Sequence, residues 1–194
     1  MRSFLAIELS EEIRARLGEL QRELQKAGIQ ARYVRPEGVH LTLKFLGEVE
    51  PSLVPQLEMR LRPLAARCPG LTLEARGLGA FPNLKRPRVL WVGVHAPAEL
   101  LRLQSEVEAA MAEEGFAPEE RAFHPHLTLA REPDPRAAER LERLLQGPER
   151  ELGRFRAEAL ILFESQLQKG GARYTPRASF VFSAAAGVAP NGSP

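Results

Sequence analysis

The sequence predicts an α+β fold made by internal duplication, with two lobes related by a pseudo-twofold axis and a central cleft between them. Three observations predict it. The tetrad His40-Leu41-Thr42-Leu43 recurs, letter for letter, as His126-Leu127-Thr128-Leu129. The two copies lie close to half of the ordered chain apart. The elements around them keep a matching order, βαββαβ and then βαβαββ, and this order turns a short repeat into an argument for duplication.

Each element has a local basis. Residues 3–9 are rich in β-formers and alternate, which predicts an opening strand. Ser10 followed by Glu11 and Glu12 starts a helix, with acidic groups near the positive end of its dipole. Ile13, Leu17, Leu20 and Leu24 recur at helical spacing until Gly28 stops it. Residues 29–34 read as a short strand, and 39–46 as the strand of the first motif, closed by Gly47. Residues 51–67 form a second helix. Strands come next at 71–78 and 88–95, joined by the loop GAFPNLKRP. Residues 97–114 form a helix with Leu100, Leu101, Leu103 and Val107 on its inner face. Residues 123–130 carry the second motif on a strand. Residues 134–145 form a helix with Pro135 in its first turn. Two final strands, 155–167 and 174–182, flank the loop QKGGAR, whose Gly170-Gly171 pair reads as a lid over the cleft or a simple turn. Residues 1–183 make one bilobal domain, and the Pro/Gly-rich 184–194 a disordered tail.

Bulk properties narrow the function. Of 194 residues, 44% are hydrophobic and 27% charged, ordinary for a globular chain. No apolar run approaches the roughly 18 residues of a membrane span. The first apolar stretch is too short and too soon acidic for a signal peptide. The single cysteine, Cys68, cannot close an internal disulfide and has no metal-ligand spacing. These features point to a cytoplasmic protein without a membrane partner. The net charge of +2 permits an anionic partner such as RNA without requiring one. Only four of the 27 cations are lysine, a bias that suits a heat-adapted surface as well as phosphate binding.

The motif itself carries chemistry. On a strand, residues i and i+2 share a face. Each copy therefore presents an imidazole beside a hydroxyl and turns its leucines to the core. Two such pairs across a cleft make an acid/base site that needs no metal. Phosphodiester cleavage requires a base for the nucleophile and an acid for the leaving oxygen, and histidine titrates near 6.5. Threonine hydroxyls on the same side donate to the non-bridging oxygens. On these grounds His40 and His126 are interchangeable.

The sequence resembles the 2H phosphoesterases, and within them the RNA 2′,3′-cyclic phosphodiesterases once named 2′-5′ RNA ligases. FLAIELSEEI, VHLTLKFLGEV, GLGAFPNLKRPRVLWVGV, FHPHLTLAR and ARYTP carry the resemblance over about residues 2–182. It implies two antiparallel sheets with helices outside, no cofactor and no metal. It also implies hydrolysis of a terminal RNA 2′,3′-cyclic phosphate to a 2′-phosphomonoester, with possible 2′-5′ ligation when an RNA 5′-hydroxyl replaces water. By the same resemblance His40 is the proton donor to O3′, His126 the acceptor from water, and Thr42 and Thr128 hold phosphate oxygens. Arg131, five residues after His126, adds a phosphate contact. The expected partner is RNA with a cyclic phosphate end, or a small cyclic or 2′-5′-linked nucleotide, bound by a monomer.

Other residues are weighed more lightly. Phe45 is a base-stacking surface or core. Phe81, beside Pro82 in a loop, is the better stacking candidate. Lys85, Arg86 and Arg88 form a basic cluster that steers RNA or is simply solvated. Trp91 alternates with apolar neighbours and reads as core. His124 and His126 lack the carboxylate or cysteine that a metal pair would need, and His95 has no evident partner. A rival function is a module that binds RNA ends without turnover. Paired histidines argue against it, because binding alone calls for arginine.

Overall fold

The computed structural model describes residues 1–146, 148–168 and 171–184. Its elements are β1 (Arg2–Ile7), α1 (Glu11–Lys26), β2 (Arg32–Tyr33), β3 (Leu41–Glu48), α2 (Val54–Arg67), β4 (Leu71–Phe81), β5 (Val89–His95), α3 (Ala98–Glu113), β6 (His126–Arg131), α4 (Ala137–Leu145), β7 (Glu151–Ala157), β8 (Ala159–Gln168) and β9 (Gly171–Val181). Ser10 Oγ accepts the Ile13 N–H at 3.4 Å, and the expected stripe of Ile13, Leu17, Leu20 and Leu24 is buried. Gly28 ends this helix at φ +77°, a conformation that glycine adopts without strain. On α3 the buried residues are Leu100, Leu103, Val107 and Met111, whereas Leu101 is exposed. The 3.6-residue period carries Leu101 past the packed stripe and brings in Met111.

Two antiparallel sheets form, one in the order β3-β1-β8-β9 and the other β2-β6-β5-β4-β7. This is the expected α+β architecture of two sheets and four helices. The strands are not shared out by chain halves, however. The stretch expected as one strand at 155–167 is cut at Glu158. Its first part, β7, joins the second sheet, and its second part, β8, crosses back to lie beside β1. β4 also belongs to the second sheet. The loop expected from Gly79 begins only after Phe81, because β4 stays paired with β5 as far as Phe81 opposite Val89. The 29–34 strand shrinks to Arg32–Tyr33. The Gly171 end of the last loop pairs with Gln168 at the tip of the β8–β9 hairpin; Gly170 and the tail beyond Ala184 lie outside the described residues.

The helices are exchanged between the sheets. α1 leaves β1 of the first sheet but lies on the second: Ile13 packs over Gly153 of β7, and Arg150 pairs with Glu23 at 2.9 Å. α3 leaves β5 of the second sheet but lies on β3 of the first. There Lys44 Nζ meets Glu108 at 2.6 Å and donates to the Ala117 carbonyl at 3.0 Å. α2 covers β9, with Arg62 over the Phe180 ring, and α4 docks on the end of α1, where Arg140 donates to the Gly28 carbonyl. One apolar core runs from Leu5 to Phe182 through both sheets and these helices. No described helix is long and apolar enough to cross a membrane.

Lys44 is buried, and among the described residues its one ion-pair partner is Glu108. Removing one partner leaves an uncompensated buried ion, which costs about 3 kcal/mol or more. Glu108→Ala should therefore lower urea-unfolding stability by roughly that amount, and Lys44→Met/Glu108→Leu by clearly less. Equal losses in the single and double variants would show that the pair is not coupled.

Candidate active site

Each motif strand carries a β-bulge at the same place, and β3 has a second one further on, at Leu46. In β3, Leu5 of β1 faces Lys44 while Ala6 faces Thr42, so Leu43 has no partner of its own. In β6, Leu90 of β5 faces Ala130 while Trp91 faces Thr128, and Leu129 is the extra residue. A bulge inserts one residue and re-aims the side chains beyond it. Leu43 and Lys44 both turn inward, as do Leu129 and Ala130, and all four are buried. Phe45 and Arg131 then return to the face that holds the histidines. Simple alternation would have put Lys44 in the cleft and sent Phe45 to the core. Instead Phe45 is 65% exposed, 6.0 Å from the Phe4 ring.

The extra residue exposes its carbonyl to the other half of the molecule. Gln104 of α3 donates to the Leu43 carbonyl at 3.4 Å, and Gln21 of α1 donates to the Leu129 carbonyl at 3.0 Å. Each bulge is thus held by a glutamine from the helix that crossed over. Nothing in the local pattern of Gln21 or Gln104 signals this.

The imidazoles are held alike. His40 Nδ1 lies 3.1 Å from the Gly38 carbonyl, and His126 Nδ1 lies 2.6 Å from the His124 carbonyl. A carbonyl only accepts, so Nδ1 carries the proton in both rings, and Nε2 is left with its lone pair. Around His40 stand Phe163 at 4.5 Å, Tyr174 at 5.4 Å and Phe4 at 6.1 Å between ring centroids. These rings belong to a small apolar cluster separate from the main core and free of helix residues. Around His126 stand Phe81 at 5.0 Å, edge to face, and Trp91 at 6.4 Å. Both imidazoles therefore sit on the sheet faces that carry no helix. The two motif strands approach each other, with Cα atoms of β3 and β6 within 8 Å.

Trp91 is not core, contrary to its sequence pattern. Its apolar neighbours Leu90 and Val92 point to the core, and Trp91 itself lies on the cleft face, opposite Gly79. A Cβ on Gly79 would come within 2.3 Å of the indole, so the ring lies flat on a glycine. Its Nε1–H is buried without a partner among the described residues, so packing rather than a hydrogen bond holds the ring. Sequence reasoning also passes over Tyr174, Phe4 and Phe163. Phe4 had one usable sign: FLAI is apolar at every position, which suits a strand covered on both faces.

The remaining candidates separate. Lys85, Arg86 and Arg88 are exposed on the rim, where Asn83 Oδ1 accepts the Lys85 and Arg86 N–H groups. His95 lies against Arg76, and His124 is exposed. Among the described residues no three His, Cys, Asp or Glu side chains gather as a metal-binding set.

Electrostatics favours the neutral form of both imidazoles. Burial, and after it the Arg14 guanidinium, pushes the His40 imidazole down to about 4, against the opposing effect of its bond to Gly38. Burial also lowers His126; the His124 carbonyl opposes this, and the charges of Arg131 and His124 add to it.

Both the buried ring and the glycine contact have measurable consequences. Unfolding restores an ordinary imidazole near 6.5, so the unfolded chain binds the extra proton between pH 6.5 and 4. Stability from His40 is complete above 6.5 and is lost as the pH falls toward 4. His40→Gln should therefore lessen the fall in unfolding free energy between pH 7 and 4.5 by about 2 kcal/mol, and parallel curves would refute the buried neutral ring. Gly79→Ala should displace the indole and lower stability by about 1–3 kcal/mol, read as a shifted melting temperature together with altered Trp91 fluorescence. An unchanged emission spectrum would contradict the contact.

Known proteins share this outline. The profile of the 2'-5' RNA ligase superfamily matches residues 7–169. An "RNA 2',3'-cyclic phosphodiesterase" of Aeropyrum pernix is 38% identical over 161 residues, which is 82% of this chain and 90% of that protein. TT0787 of Thermus thermophilus superposes with a TM-score of 0.78 at 31% identity, over 95% of this chain and 99% of the other. E. coli LigT complexed with 3'-AMP superposes at 0.73 and 30% identity, over 93% and 97%. With both His-x-Thr copies inside the matched span and the same fold over almost the whole length, the chain belongs to the 2'-5' RNA ligase superfamily.

Proposed function

We propose that this protein hydrolyses the 2′,3′-cyclic phosphate at an RNA end to a 2′-phosphomonoester, by histidine acid/base chemistry that needs no metal. The duplicated imidazole–hydroxyl pair carries the proposal: in both copies Nδ1 is committed to a backbone carbonyl two residues back, which leaves Nε2 as the working atom. The names of the relatives, and the 3'-AMP held by LigT, support a nucleotide end as the substrate.

In the proposed step His126 Nε2 takes a proton from water as its oxygen attacks phosphorus. The P–O3′ bond breaks, and His40 Nε2 gives a proton to O3′. This choice of donor rests on family likeness. Thr42 and Thr128 donate to the non-bridging oxygens, and Arg131 offsets their charge. Phe45 and Phe81 offer aromatic faces at the mouth for a base. The same step takes an RNA 5′-hydroxyl in place of water and then forms a 2′-5′ linkage.

An acid with a value near 4 is mostly deprotonated at neutral pH. The bound phosphodiester supplies a negative charge beside it, which favours the imidazolium and raises its value. The profile of kcat should therefore lie at higher pH than that of kcat/KM; coincident profiles would count against His40 as the donor. His40→Ala and His126→Ala should each lower turnover of a cyclic-phosphate-ended oligonucleotide by about two to four orders of magnitude, with the fold intact. Wild-type turnover should persist in excess chelator. Near-normal activity in either variant, or loss with chelator, would overturn the mechanism.

A further inference from the structure

The pairing of β2 with β6 sets Arg32 directly opposite Arg131. Residues facing each other across an antiparallel ladder project their side chains to the same face, about 5 Å apart. Arg131 lies on the cleft face because of the bulge at Leu129, so Arg32 lies there too, one strand further from the histidines. Like charges in this position repel. No protein group relieves the repulsion well. Among the described residues Arg131 has no ion-pair partner, and Arg32 meets only Glu132 at 3.6 Å, with both side chains largely exposed. A pair in such an exposed setting contributes little. Glu132 itself adopts φ +52°, a left-handed conformation unusual for a side chain other than glycine. The fold thus carries two local penalties where two arginines face each other across the ladder at the edge of the cleft.

We propose that Arg32 binds the internucleotide phosphate next to the cyclised one, so that the site prefers the end of a polynucleotide to a cyclic mononucleotide. The inference rests on the function proposed above. A cyclic phosphodiester brings a single negative charge, and the motif residues and Arg131 already meet it. A second guanidinium calls for a second anion, and the nearest one in the substrate class is the next phosphodiester along the strand. Arginine's planar fork suits its two non-bridging oxygens. Arg32 is a substrate-binding residue in this account and touches none of the reacting atoms.

The test compares wild type, Arg32→Ala and Arg32→Lys on two substrates, a dinucleotide ending in a 2′,3′-cyclic phosphate and a nucleoside 2′,3′-cyclic phosphate. Arg32→Ala should lower kcat/KM for the dinucleotide about tenfold, mainly through KM, and leave the mononucleotide within about twofold. Arg32→Lys should recover part of the loss. The salt dependence of log kcat/KM for the dinucleotide should become shallower by about one in Arg32→Ala. The melting temperature should not fall, because a repulsion is removed. Equal losses on both substrates would place Arg32 at the reacting phosphate and overturn the proposal, as would no loss on either or a sharply lower melting temperature. Wild type that hydrolyses neither substrate would overturn the enzymatic function itself, and this inference with it.

Discussion

Each motif strand has to bury leucines against the helices on one side and offer an imidazole and a hydroxyl on the other. A strict two-residue alternation achieves this for four residues and then fails. It would leave Lys44 in the cleft and drive Phe45 into the core. An extra residue at the same place in each strand, Leu43 in β3 and Leu129 in β6, resolves the conflict. It keeps two successive residues inside and returns Phe45 and Arg131 to the face that holds the imidazoles. The exposed Phe45 ring, the cleft position of Arg131 and the Arg32–Arg131 apposition all stem from that displacement.

The bulges are also where the two halves are tied together. At each bulge the carbonyl of the extra residue accepts from the helix that covers it, and at Leu129 this adds to the Val34 N–H at 2.9 Å. Gln104 and Gln21 are these side-chain donors, each from a helix that has crossed from the other sheet. Lys44, turned inward by the first bulge, meets Glu108 on the same crossing helix as Gln104. The exchanged helices therefore act on the site directly, since they hold the strand positions immediately after each His-x-Thr pair. Motion of one sheet against the other would have to break these bonds.

The charge distribution suits an anion that arrives from outside. Burial, and after it nearby arginines, disfavour the charged form of both imidazoles. The guanidinium groups of Arg14 and Arg131 supply a positive field that does not depend on pH. In the proposed mechanism an incoming phosphodiester reverses the balance and recruits the proton that the acid needs. The aromatic walls assist by excluding water around His40 and His126 and by fixing the ring planes.

The sequence by itself determined most of the strands, the helical stripes and the candidate reactive groups, because these depend on residue type and short-range periodicity. Two identical His-Leu-Thr-Leu tetrads on alternating strands could place imidazole and hydroxyl on one face and nothing else. Tertiary structure alone decided the rest. The exchange of α1 and α3, the return of β8 to β1, the cleft position of Trp91 and the meeting of Arg32 with Arg131 all arise between residues far apart in the chain. Trp91 had the same apolar neighbours either way, and only the glycine opposite it, Gly79, made room for the ring on the open face. The bulges belong to the same class: a one-residue shift of register depends on the partner strand and the donor waiting for the freed carbonyl, and neither is visible in the residues that shift.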